Sequence, residues 1–346
     1  MNSNPILGTL LHAIGGASAS SCYLPNHKTK SWSWGTFWLV QSVFAWLLMP
    51  LLVGWLTVPE FFKILSNAPS DVMLKAFLLG AVYGFGGMSF GLSIRAIGYS
   101  LTYTIGIGIS AVLGTMTPLL LRGQVLEYFS APGALIVLFG MILSLLGVVL
   151  CGVAGYRKER DLGELKLNGG FDMKKGLFLA ILAGLLSAVF NISLEAGQPI
   201  ADMAAQAGAG HFEGNAKLII STSGCFVVNL IWFIVAGIRN KTLKEFTAAS
   251  GLSLSQRMKN FFWSSLAGTL WCAQFFFYGL GHVRMGNFQF ISWVLHMSML
   301  IFFSYIVGLI MKEWKHVQPS TNRILVLALF TLFIAAVIIA FGSSWQ

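Results

Sequence analysis

Two sets of residues inside apolar runs have the spacing and chemistry of a binding surface. Trp271, Gln274 and Tyr278 recur at i, i+3 and i+7, and Gln289, Trp293 and His296 recur at i, i+4 and i+7. On helices, each set falls on one face. His12 and Trp46 are further polar or aromatic groups well inside apolar runs. Indole and phenol rings offer an apolar face to C–H surface, and planar amides and imidazoles meet hydroxyl groups. A neutral sugar needs that mixture in a largely preformed cavity. The same Gln and His side chains also suit hydrogen bonding between packed helices, for about 0.6 to 2 kcal/mol each, and the spacing alone admits both readings.

One carboxylate joins them. Of the 12 acidic residues, Glu195 is the one expected inside an apolar run. An ionisable group there costs roughly 2.5 to 3.5 kcal/mol on insertion scales, so it faces a cavity or a partner, or it snorkels to the interface. At a rise of about 1.5 Å per residue, His12, Gln289, Trp293 and His296 share a level with Glu195. A polar cavity open to the outside would collect them. Glu195 and His296 are then the candidate proton-carrying groups.

The elements that must position these residues follow from composition. Of 346 residues, 56% are hydrophobic and 10% charged, against roughly a quarter charged in an ordinary soluble domain. The mean hydropathy is +0.76. The chain is expected to be an all-α integral membrane protein embedded in a lipid bilayer. Its apolar runs are continuous over about twenty residues instead of alternating, which excludes an outer-membrane barrel. Ten transmembrane helices are expected, over 5–24, 36–57, 72–94, 98–121, 131–154, 176–199, 216–238, 260–281, 287–311 and 323–342. Met1 to Asn4 carries no positive charge, and the first run is expected to be a retained helix.

The net charge of +10 is an orientation signal, with no call for nucleic acid as a partner. Of 22 basic residues, all but Lys63, Lys75, Arg122, Lys217 and Arg284 flank odd-numbered connections, Lys166 and Arg95 among them. The positive-inside rule places those connections in the cytoplasm and both termini outside. Trp32, Trp34, Trp38, Trp263 and Trp314 read as the inner aromatic belt, and Trp55 and Trp345 as the outer one.

Ten helices divide into two five-helix repeats, 1–154 and 176–346, joined by a cytoplasmic loop at 155–175. An odd number per half inverts the second repeat relative to the first. Gly8 and Gly16 are echoed at equal offsets by Gly176 and Gly184, and Arg95 and Gly98 by Arg284 and Gly286.

Enzymatic chemistry finds no support. The chain has neither a phosphate-binding GxxxxGK[ST] loop nor an HExxH zinc motif, and no paired nucleophile and base. No metal and no cofactor is expected. Cys22, Cys151, Cys225 and Cys272 lack metal spacing and read as small packing residues. Gly87-Met-Ser-Phe-Gly91 matches a nucleophile elbow in letters but lies in a continuous apolar run. Gly80, Gly84, Gly87 and Gly91 instead let helices approach closely, as do Gly106 and Gly108.

Several stretches have a family likeness: Gln274-Phe-Phe-Phe-Tyr-Gly-Leu-Gly-His282, Ile291-Ser-Trp-Val-Leu-His-Met-Ser298, Lys312-Glu-Trp314, His12-Ala-Ile-Gly-Gly-Ala-Ser-Ala, Lys30-Ser-Trp-Ser-Trp34 and Lys174-Lys-Gly176. In these the chain resembles the bacterial L-rhamnose–proton symporter family of the drug/metabolite transporter superfamily. The resemblance implies ten helices in two inverted repeats and uptake of L-rhamnose or a related L- or deoxy-sugar, with H+ as coupling ion, by a monomer. It also marks a departure. Gln289 stands where the family pattern has an acid, and Glu195 where it has an uncharged amide. The alternatives within this fold are a proton-independent sugar or metabolite facilitator and an exporter.

Overall fold

A computed structural model describes residues 3–123, 130–163, 173–247 and 250–345. Lys166 lies outside the described residues, as does the side chain of Arg122. The helices are α1 (Pro5–Ser21), α2 (Trp34–Thr57), α3 (Phe61–Asn67), α4 (Ser70–Ile97), α5 (Tyr99–Leu120) and α6 (Ala134–Asp161). They continue with α7 (Met173–Ala196), α8 (Gln198–Gln206), α9 (Gly214–Arg239), α10 (Leu254–His282), α11 (Ser292–Ile310) and α12 (Pro319–Ser343). Among the described residues there is no strand.

Among the described residues, eight helical stretches are long and apolar enough to cross a membrane: α2, α4, α5, α6, α7 with α8, α9, α11 and α12, the helices α9 and α11 together with the turns before them. The protein is therefore a multi-pass membrane protein. The other two expected spans are present as helices of a different kind. Helix α1 has only 17 residues, and the first two turns of α10 carry Gln256, Arg257, Lys259 and Asn260.

Local chemistry sets the helix ends. Ser33 caps α2, its hydroxyl accepting from the Thr36 amide. Within α2 the turn Phe44–Leu48 widens to a π-helical turn, with the Met49 amide bonded to the Phe44 carbonyl. Pro50 explains it: proline has no N–H for the Trp46 carbonyl, and its ring crowds that oxygen. A second π turn, Tyr103–Ile107, lies in α5. Between α4 and α5 only Gly98 intervenes, at φ +83°, a conformation that a side chain disfavours. Helix α6 runs to Asp161, seven residues past its expected end at 154, so the expected 155–175 connection is largely helix at its start.

The contacts divide the chain into two compact units. Unit 1 comprises Met1–Ser20, Gly86–Ile192 and Leu280–Gln346; unit 2 comprises Ser21–Phe85 and Ser193–Gly279. Each unit draws on both halves of the sequence.

In unit 1, α6 and α12 run antiparallel: Gly133 packs on Gly342, Gly140 on Ile339 and Gly147 on Leu332. Helices α5 and α11 do likewise, with Gly114 on Trp293 and Thr104 bonded to Tyr305. Gly16 of α1 lies on the Met299–Leu300 backbone of α11, and Gly184 of α7 on the Gly106 carbonyl of α5. Helix α11 is the centre of the unit, with Ser292 through Ile301 buried throughout.

In unit 2, α2 and α9 are antiparallel, through Gly35 on Phe233, Trp38 bonded to Asn229, and Thr57 bonded to Asn215. Gly80 of α4 meets the Ser221 carbonyl of α9, and Gly268 of α10 meets the Gln41 carbonyl of α2. Neither crossing has room for a Cβ. The nucleophile-elbow letters lie in the unbroken helix α4, and the four cysteines are free and buried. At one end of the unit, α3 and α8 pack Phe61, Ile64, Ile200 and Ala204 together with Ala216 and Ile219 of α9.

Candidate functional site

The sequence-predicted site residues form two groups, and each belongs to one unit. In unit 1, His12 of α1 and His296 of α11 come together, both fully buried, with ring centroids 5.8 Å apart at 69°. A Cβ on Gly281 would stand 3.0 Å from the His12 ring, and the neighbouring imidazoles of His296 and His282 both act electrostatically on His12.

Trp293 is also buried, but its indole N–H is already engaged. It donates to the Ser110 carbonyl at 3.0 Å and lies 3.2 Å from the Ser110 hydroxyl. Its ring fills the space that Gly114 leaves open. It packs between α5 and α11, so its indole N–H is committed within the bundle. The placement of Gln289 needs a correction. It sits in a 3₁₀ turn, Gly286–Ile291, ahead of α11, and its side chain is exposed. Burial of Met285, Phe288 and Ile291 fixes that turn and leaves Gln289 outward, so the expected i, i+4, i+7 stripe begins only at Trp293.

In unit 2, Trp271, Gln274 and Tyr278 share one buried face of α10, as their spacing predicts. Trp46 of α2 meets Trp271 edge to face, 5.5 Å between centroids, and Phe275 links Trp271 to Tyr278. Glu195 acts electrostatically on Tyr278. It is half-buried and next to last in α7, closer to the helix end than expected. Beyond it Lys217 of α9, itself buried, reaches the Gln198 side chain at 2.5 Å.

Two buried groups, Gln41 and Glu159, escape the sequence reading. Gln41 is 4% exposed, and among the described residues its Oε1 has no hydrogen-bond partner; the same holds for Nε1 of Trp46, 3% exposed. Each such atom costs about 1–3 kcal/mol if it stays unsatisfied. Gln41 has no second polar residue at helical spacing to flag it. Glu159, 1% exposed, is a buried carboxylate, hidden because α6 outruns its apolar stretch. Lys158 lies 3.3 Å from Glu159 and 3.2 Å from Glu313, and its ammonium stands 5.7 Å over the Trp314 ring. Trp314 and Trp38 are thus buried partners and not members of an interfacial belt.

Buried imidazoles, an indole pair and a face of amide and phenol groups, carried on helices long enough to span a bilayer, define a multi-pass membrane protein with a polar interior. The chain belongs to the L-rhamnose-proton symport protein (RhaT) family, which it matches over residues 1–344. It is 33% identical over 346 residues to the L-rhamnose-proton symporter of Yersinia pestis (strain Pestoides F), covering 99% of each chain. It is 34% identical over 345 residues to the L-rhamnose-proton symporter of Pectobacterium atrosepticum, covering 98% of this chain and 99% of that one. These relatives are named as symporters, not as enzymes.

Proposed function

We propose that the protein takes up L-rhamnose, or a closely related L- or deoxy-sugar, together with a proton by alternating access. The observation that carries this reading is family membership over essentially the whole chain, with relatives named for that activity. The buried residues supply suitable chemistry. Trp46 and Trp271 offer aromatic surface, Gln274 and Tyr278 hydroxyl contacts, and His12 and His296 further polar contacts. Glu195 and His296 are the proton-carrying groups. Moving one positive charge through 100 mV provides about 2.3 kcal/mol, enough for roughly 50-fold accumulation of a neutral sugar.

Ten spans in two inverted repeats, as in the drug/metabolite transporter superfamily, are part of the same reading. Its support is the pairing of expected span n with span n+5. The second packs antiparallel on the seventh, the fourth on the ninth and the fifth on the tenth. The glycine crossings also exchange under the same rule: first on ninth mirrors sixth on fourth, and third on seventh mirrors eighth on second. The repeats are 1–154 and 176–346, in the inner membrane, with both termini periplasmic and the monomer as the working unit.

A pH trace in lightly buffered vesicles or cells tests the function. Adding L-rhamnose should alkalinise the outside medium, while L-fucose should not. A flat trace with labelled L-rhamnose still entering would replace symport by facilitated diffusion, and no entry would remove L-rhamnose as the substrate.

A further inference from the structure

The two partnerless polar atoms of α2 lie on either side of the step into its π turn. Gln41 is three residues before Phe44, where the turn opens, and Trp46 is inside it. Widened turns of this kind recur at functional sites because they re-aim side chains. Both side chains are more than nine-tenths buried, so neither atom is served by bulk water.

Trp38, on the same helix, shows what a structural tryptophan looks like here. Its indole N–H donates to Asn229 Oδ1 at 3.0 Å, and the Asn229 amide donates in turn to the Gly84 and Cys225 carbonyls. That network is complete. The Trp46 N–H and the Gln41 carbonyl oxygen are left over from it, one a donor and one an acceptor. Their neighbour is the helix that bears the aromatic and amide face. Gly268 presses α10 onto the Gln41 backbone, and Trp271, one turn further on, packs its ring on Trp46.

A buried donor and a buried acceptor five residues apart on α2, with the Trp271 ring against Trp46, have the complementarity of a sugar hydroxyl pair over a C–H surface. We propose that Gln41 and Trp46 are specificity-determining sugar contacts, the Gln41 carbonyl accepting from one hydroxyl and the Trp46 indole N–H donating to another. This rests on the reading that the substrate is L-rhamnose. Binding the sugar would satisfy both orphan atoms at once, so a sugar lacking either hydroxyl would leave one of them unpaired and be rejected.

Gln41→Leu and Trp46→Phe test the proposal, each purified in detergent and reconstituted in vesicles. The expected result separates folding from binding. Without sugar, Gln41→Leu should melt at or above the wild-type temperature, because it removes an unsatisfied buried acceptor. The stabilisation that saturating L-rhamnose gives the wild type should shrink or vanish. In transport, KM for L-rhamnose should rise at least tenfold for Gln41→Leu and about fivefold for Trp46→Phe, with kcat within twofold. Both variants should also lose discrimination against a deoxygenated L-rhamnose analogue.

Wild-type KM and discrimination in both variants would overturn the proposal. So would a Gln41→Leu protein that loses its sugar-free stability or fails to fold, since Gln41 would then be part of the scaffold. A wild type that L-rhamnose neither stabilises nor crosses with would instead remove the substrate assignment.

Discussion

The imidazole rings of His12 and His296 stand edge to face, 5.8 Å between centroids, each shut off from solvent. Gly16 holds their helices in backbone contact, so the pair is set by the fold and not by side-chain adjustment. Two positive charges at that separation would repel by about 3 kcal/mol at an effective dielectric constant near 20. The pair therefore disfavours holding two protons at once.

His296→Gln keeps a donor and an acceptor in place but removes the titrating ring. Proton-driven accumulation of L-rhamnose should fall at least tenfold, while counterflow exchange of labelled sugar stays within threefold of wild type. Parallel accumulation and counterflow assays in the same vesicles read both numbers, and an equal loss of the two would make His296 a sugar contact only.

Glu195→Gln tests the second of the two proposed proton carriers. Its place at the end of α7, beside Tyr278, leads to the expectation that sugar-induced alkalinisation disappears while exchange persists. Unchanged proton-driven accumulation with intact expression would leave Glu195 as a snorkelling interfacial group.

Lys158 is the cation for a carboxylate with almost no solvent access. Removing one partner of such a pair costs about 3–5 kcal/mol. Lys158→Met should therefore lower the melting temperature by several degrees, measured by detergent-phase thermal unfolding, and Lys158→Met with Glu159→Gln should recover most of the loss. Failure of the double variant to recover would mean that Glu159 is held by other charges.

Trp293→Phe deletes an indole N–H that is already spent on Ser110. The expected loss is about 1 kcal/mol of stability with no change in sugar selectivity. A selectivity change in competition assays against L-fucose would restore Trp293 to the binding set.

Hydropathy located every long helix, because runs of about twenty apolar residues have no other use in a bilayer. Periodicity found the buried face of α10, and two of the glycines read as points of close approach, Gly80 and Gly106, do lie at helix crossings. It failed where tertiary packing overrode the local pattern. Gln289 fits a helical stripe in letters, but Phe288 and Ile291 are buried by a tighter turn that aims it outward. Glu159 reads as a loop residue because the charges after Tyr156 end the apolar run, although the helix continues. Gln41 is a lone amide whose importance lies in a missing hydrogen bond, and a missing bond leaves no trace in residue order. Trp38 and Trp314 look like interfacial anchors by depth, and only their partners Asn229 and Lys158 show otherwise.

Because α11 is enclosed from Ser292 to Ile301, its length there need not match the thickness of the surrounding lipid. Hydrophobic matching is left to helices that meet the acyl chains. Helices α6 and α12 do so through outward rows such as Phe139, Ile142 and Val149, and Phe330, Phe333 and Val337. A thicker or thinner bilayer would tilt or strain those two before it reached the histidine that α11 carries. Lipid composition should thus tune the stability of this chain more readily than its chemistry.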